Sequence, residues 1–344
     1  MKNDTNGLTK ISHRKHRWRK FLAGDPAVKH MFLLHPPEGL AERPLPYPEN
    51  IIARIEWAWQ RYRVQMERLD WLEDDAIPFL DPYTGTEIFA EAFGCPVYFP
   101  ENDMPHARPI IFKATEVSRL KVPELDVPAL ARVFQIADAL QARAGAAAVM
   151  RLVDIQSPMD IAALIWNKTD FFLALIDAPD AVIELAAKCR ELLCNFLDVW
   201  FARYGRNYIA HYPEYYLEQG MTLSEDEVGA VSPTMFEQFF LPELRYLSQR
   251  YHGIGIHCCA DCRHLWSQFK KIPQVFLWNL PHERSQEAYH YFADTPAQIH
   301  QFLQREVEIV TLLQRFPTAR IIFDVSLDSR AAALELLSHF ESLR

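Results

Sequence analysis

The residues with most chemistry in them are His257, Cys258, Cys259, Asp261 and Cys262, which follow the apolar run Gly253-Ile-Gly-Ile256. The apolar run reads as a short buried strand and residues 263–271 as a helix. His257 and Cys259 then stand two positions apart at a strand's C-terminal end, so their side chains leave the same side. An imidazole and a thiolate converging there make half of a zinc site, whose open position takes a substrate. A third ligand has to come from elsewhere. Asp324, at the end of the Ile321-Ile-Phe323 run, is the expected one, with Asn279, Glu283 and Cys262 as alternatives. Two other readings compete on the residues alone. The cysteines could be small buried hydrophobes, or Cys259-x-x-Cys262 could be a redox pair at a helix N-terminus.

Other polar residues also fall where strands end. Asp154 and Gln156 alternate after residues 146–153, and either share a face of the pocket or cap the next helix. Ser224-Glu225-Asp226-Glu227 follows a short strand and could place one carboxylate in the pocket. Its other acids are expected to be solvated or to stabilise a helix start. Tyr83, near Asp81 across a proline, and His211, beside Tyr212, either line the pocket or pack in the core.

The elements that must position these residues alternate. Residues 31–34, 77–80, 146–153, 207–210, 221–223, 253–257, 275–280 and 321–325 read as strands. Residues 51–70, 128–143, 160–204, 263–271, 296–313 and 330–343 read as helices, and Ser232-Pro233 begins another. Such alternation argues for parallel strands with crossover helices. The expected class is α/β, a (β/α)8 TIM barrel filling residues 31–344 as one domain, with a helical extension over residues 1–30. Catalytic residues gather at the C-terminal strand ends of such barrels. The competing open nucleotide-binding sheet is disfavoured, because no Gly-x-Gly-x-x-Gly or phosphate loop occurs and there are only 11 glycines.

Composition narrows the class further. A net charge of −9 argues against nucleic-acid binding. The basic cluster from His13 to Lys20 reads as the exposed first turns of a helix. Aromatic residues at 12% point to a well-filled core. Six cysteines, half of them within five residues, are no disulfide framework. With no signal-like segment and no apolar run of membrane-spanning length, a cytoplasmic setting without membrane contact is expected.

Four stretches together resemble the uroporphyrinogen decarboxylase superfamily, and in particular its methylcobamide:coenzyme M methyltransferase branch. Glu91-Ala-Phe-Gly-Cys-Pro-Val97 is similar to the family's A-x-x-x-G-x-x-V segment, and Asp154-Ile-Gln-Ser-Pro158 to its mid-barrel strand end. Glu225-Asp226 with Val231-Ser-Pro-Thr-Met-Phe-Glu237 resembles its acidic loop and S-P-x-x-F helix. His257-Cys-Cys259 resembles the methyltransferases' H-x-C zinc motif.

The likeness implies a (β/α)8 barrel and a zinc-dependent transfer of a methyl group between a corrinoid on a partner protein and a thiol-type acceptor. The expected roles are His257, Cys259 and Asp324 as metal ligands and Asp154 and Asp226 as catalytic carboxylates. Gln156, Tyr83, His211 and Asn279 are expected to bind a small-molecule substrate. The chain departs from the family twice. The decarboxylase's Arg-Gln-Ala-Gly-Arg motif is replaced by His35-Pro36-Pro37-Glu38-Gly39, and no cysteine follows Cys262 to serve as third ligand. The alternatives are a decarboxylase-like lyase for a carboxylated substrate and a non-catalytic barrel that binds a corrinoid or tetrapyrrole.

Overall fold

A computed structural model describes residues 5–280, 287–294, 298–303 and 306–341. The fold is mixed α/β, with twelve strands among the described residues. In chain order they are β1 (Met31–His35), β2 (Phe79–Leu80), β3 (Val97–Tyr98), β4 (His106–Ala107), β5 (Val149–Arg151) and β6 (Tyr208–Ile209). There follow β7 (Tyr216–Leu217), β8 (Met221–Ser224), β9 (Ile254–His257), β10 (Val275–Asn279), β11 (Gln298–Leu303) and β12 (Ile321–Ser326). One sheet runs β1-β12-β11-β10-β9-β8 and is parallel throughout. A second runs β2-β5-β6-β7, with only β7 antiparallel. Strands β3 and β4 form a separate antiparallel pair within residues 96–111, which hold four prolines.

The ladders are not one closed ring. Backbone bonds just outside the strands join the two sheets instead. At one seam Ser224 N–H donates to Ile155 O and Ser157 N–H to Ser224 O, each at 2.9 Å. At the other, Asp75 N–H donates to Phe32 O at 2.8 Å, while Asp75 Oδ2 accepts from Phe32 N–H at 2.8 Å.

Local sequence explains most element boundaries. Strands buried on both faces are continuous apolar runs, as in Met31-Phe-Leu-Leu34. Helices begin with a proline in the first turn at Pro128, Pro158, Pro179 and Pro242, where a missing N–H costs nothing. Ser157, Asn167 and Ser329 cap their helices by side-chain oxygen. In the middle of β9, Gly255 has no room for a side chain, because a Cβ there would stand 2.9 Å from Thr222 Cγ2. Behind β10, Phe269 stacks on Trp278 at 5.2 Å, and Trp278 stacks on Phe292 at 4.6 Å. Part of the aromatic content thus backs the strand that carries Asn279.

Two expectations are corrected. The single helix expected over residues 296–313 is a strand followed by a helix, Glu306–Arg315. The open edges of β10 and β12 both offer ladder partners to Gln298–Leu303, and pairing on two sides outweighs helical spacing. The basic cluster is not merely a solvated helix start. It lies in the helix Thr5–Leu22, and three of its residues, Arg14, Arg17 and Trp18, face inward. Arg14 Nη1 lies 2.8 Å from Asp74, Arg17 Nε lies 2.6 Å from Asp75, and Trp18 Nε1 donates to Asp75 O at 2.9 Å. Among the described residues no helix is long and apolar enough to cross a membrane.

Asp75 is fully buried and serves the seam, the helix and β1 at once. Removing one partner of a buried ion pair costs about 3–5 kcal/mol. Asp75→Ala is expected to destabilise by that amount in denaturant titration, against a much smaller loss for the exposed-pair control Asp294→Ala, which loses only its contact with Lys270.

Candidate metal centre

Strands β8, β9 and β10 lie side by side, and their register builds the site. Ser224 is registered with His257, and His257 with Asn279. Pairing persists past the strand ends, where Glu225 N–H donates to His257 O at 2.9 Å and Cys258 N–H to Asn279 O at 3.0 Å. Asp226 and Cys259 each lie two residues beyond a registered pair, so they meet. Cys259 N–H donates to Asp226 Oδ1 at 2.7 Å. One ligand atom from each of Asp226, His257 and Cys259 lies within 4.8 Å of the other two. Bonds of about 2.0–2.3 Å in a tetrahedral zinc site put ligand atoms about 3.3–3.8 Å apart, so a small contraction closes this set on an ion.

The imidazole is oriented from behind. His257 Nδ1 lies 2.5 Å from Asn279 Oδ1. Nδ1–H donating to that oxygen leaves the lone pair on Nε2, the arrangement by which metal-binding histidines are held. On another side, the Tyr212 ring stands edge-on to the imidazole, at 4.6 Å between centroids and 89°.

The Asp226 backbone is held as firmly. Asp160 Oδ2 accepts from Asp226 N–H at 2.8 Å, and Oδ1 from Glu227 N–H at 3.1 Å. Burial first, then the Asp226 charge, pushes the Asp160 carboxyl up to about 7. Burial and the neighbouring Asp160 raise Glu225 further, so Glu225 is the protonated partner of the two. The sequence reading expected solvated acids here, yet Glu225 is fully buried.

Cys259 is the exposed cysteine of its run. Partial desolvation of its sulfur, then the Asp226 carboxylate, pushes its thiol up to about 12. A divalent cation between thiol and carboxylate reverses that penalty. One oxygen, one nitrogen and one sulfur, with the imidazole already hydrogen-bonded, are a donor set that fits zinc.

The carboxylate that the fold brings to His257 and Cys259 is Asp226 and not the expected Asp324. Strand β12 lies two strands away from β10 and pairs with β1, where Leu33 is registered with Asp324. Asp324 Oδ1 accordingly lies 2.8 Å from His35 Nε2. Burial alone would lower the His35 pKa, but Asp324 and Glu214 raise it. Cys262 is buried and its sulfur accepts a hydrogen bond from the Cys258 thiol, so the paired cysteines are Cys258 and Cys262 and not Cys259 and Cys262. Glu283 lies outside the described residues.

The other expected residues stand at strand ends around the same mouth. Asp154 Oδ2 lies 3.1 Å from His211 Nε2. Gln156 is buried and its backbone bridges to Ser224, while Ser157 is the helix cap. The Tyr83 hydroxyl reaches Met104 Sδ at 3.0 Å, and its ring lies 3.4 Å under the Arg43 guanidinium. Asn279, expected to bind substrate, is placed against His257.

Sequence reasoning missed an ionic cluster beside these residues. Arg151, Arg61 and Arg43 approach buried Asp81 at 3.0, 3.4 and 3.8 Å. Burial would raise the Asp81 pKa, but the three guanidiniums hold it down to about 2. Arg61 also lies 3.2 Å from Glu38, and Arg151 lies 3.3 Å from Glu214. A charged Arg151 inside the apolar run of β5 was the available signal.

The family model described as uroporphyrinogen decarboxylase (URO-D) matches residues 74–280. The chain belongs to the uroporphyrinogen decarboxylase family. The matched part of this family member contains Asp81, Asp154, His211 and the whole Asp226–His257–Cys259 cluster. Among solved structures, a methyltransferase from Methanosarcina mazei is similar, with a TM-score of 0.66 at 12% identity. The similarity covers 95% of this chain and 99% of that one, and it shows a shared fold. No curated protein matches the sequence.

Zinc uptake has to expel the Cys259 proton, so the sign of its pH dependence follows. Apparent zinc affinity is expected to rise about tenfold per unit between about pH 7 and 9, because the thiol is protonated throughout that range. Cys259→Ala flattens this slope, and Asn279→Ala lowers affinity about 10–100-fold while keeping it. Competition with a chromophoric chelator reads both.

Proposed function

We propose that this protein is a zinc-dependent methyltransferase that moves a methyl group between a corrinoid carried by a partner protein and a thiol-type acceptor. The observation that carries this reading is the convergence of Asp226, His257 and Cys259 ligand atoms within 4.8 Å at adjacent strand ends. Family membership and the likeness in fold to a methyltransferase support it. Zinc held by these three residues would keep an acceptor thiol deprotonated near neutral pH.

The chain's own residues do the rest. Asn279 fixes the His257 tautomer, and Asp160 fixes the Asp226 backbone. Asp154 with His211, and Gln156, stand at neighbouring strand ends where they would meet the rest of the acceptor. In the transfer, the acceptor thiol gives its proton to solvent and its sulfur attacks the methyl carbon. The corrinoid would supply the methyl group and keep the electron pair of the bond that the acceptor sulfur displaces.

A lyase acting on a carboxylated substrate is the second reading, favoured by the three arginines near Asp81. All three face Asp81, Arg61 also faces Glu38 and Glu214, and Arg151 also faces Glu214, which leaves little unbalanced positive charge for acidic substituents.

The test uses zinc-loaded protein, free methylcobalamin as donor and small thiols as acceptors. Thioether should form, stop on chelation, and be absent with the His257→Ala, Cys259→Ala double variant. Full activity of the double variant would overturn the reading. Metal-independent release of carbon dioxide from a polycarboxylate would favour the lyase.

A further inference from the structure

The turn between β6 and β7 touches both the arginine cluster and His257. It is closed on itself by Ala210 N–H donating to Tyr215 O and Tyr215 N–H to Pro213 O, both at 2.8 Å. His211 is tied to Asp154, and its carbonyl accepts from Arg151. Glu214 lies 3.3 Å from Arg151 and 3.8 Å from Arg61. Tyr215 is buried, with its ring 6.1 Å from that of Trp18. Within this anchored turn Tyr212 is the exposed residue, at 38%. Its ring packs edge-on against His257, and its phenol lies in the field of Asp324, Cys259 and Asp226.

We infer that Tyr212 is a specificity-determining residue, a fixed aromatic wall beside the ligand cluster that admits acceptors unbranched at the carbon next to sulfur and turns away branched ones. The inference rests on the metal reading above. Because the residues on either side are pinned by ion pairs, hydrogen bonds and burial, the ring does not need to move to be a boundary. The ring touches His257 itself, so an acceptor whose sulfur lies near Cys259 and His257 would have this ring as the neighbour of its first carbon. Extra methyl groups there meet the wall, and a hydrophobic boundary discriminates such groups about 10–200-fold. The ring is what matters, so the hydroxyl is dispensable for selection.

Cobalt(II) in place of zinc makes the test optical, since thiolate binding adds a sulfur-to-cobalt charge-transfer band. Ethanethiol and tert-butyl thiol are titrated into the cobalt-loaded wild type, Tyr212→Phe and Tyr212→Ala. All three are expected to take up the same amount of cobalt. Wild type and Tyr212→Phe should favour ethanethiol by the same ratio, and Tyr212→Ala should lose about tenfold or more of it. Unchanged selectivity in Tyr212→Ala, or equal loss in both variants, overturns the role of the ring while the metal reading stands. Equal affinity of the wild type for both thiols does the same. No cobalt uptake by the wild type overturns the metal reading and the Tyr212 role together.

Discussion

Register between adjacent parallel strands is the constraint on which the rest depends. In a parallel ladder, residues at matching positions stand about 4.8 Å apart, and side chains return to the same face every second residue. Ser224, His257 and Asn279 occupy one such row. Asp226 and Cys259 extend the pattern by one step. A one-residue slip of β9 would turn His257 and Cys259 away from Asp226, and Asn279 would lose Nδ1. Gly255 in β9 and the Phe269–Trp278–Phe292 stack behind β10 both serve that register.

Charge at the mouth is arranged in separate compartments. At one side, three arginines surround Asp81 and share Glu38 and Glu214. At the other, Asp226 and Cys259 sit with no such guanidinium group among their described partners, and the buried Asp160–Glu225 pair behind them keeps a proton. The pairs His35–Asp324 and His211–Asp154 add two more imidazole–carboxylate contacts at strand ends. Acids that hold a proton or face arginines attract a cation less, which on the proposed reading leaves the Asp226–His257–Cys259 cluster as its place.

Much of this was legible in the residues. The apolar runs of β1, β9, β10 and β12, the Pro and Ser starts of helices, and the His257–Cys259 spacing all act through local rules. The third member of the cluster was not legible in the same way, because it depends on which strands become neighbours. Asp226 and Asp324 are equally plausible carboxylates in a string of letters, and only the pairing of β8 with β9, and of β12 with β1, separates them. Asn279 likewise changes meaning once its neighbour is known. The inward turn of Arg14 and Arg17 and the strand at Gln298–Leu303 share that cause, since tertiary partners outweighed local spacing.

The central claim is a metal centre with one sulfur, one imidazole and one carboxylate from this chain. X-ray absorption at the zinc edge of the loaded, acceptor-free protein tests it most directly. The account predicts a single sulfur scatterer at about 2.3 Å with nitrogen and oxygen scatterers at about 2.0–2.2 Å. Two or more sulfurs would mean that Cys258 or Cys262 leaves the buried pair to bind, and none would remove Cys259 from the site. Either result would contradict the account.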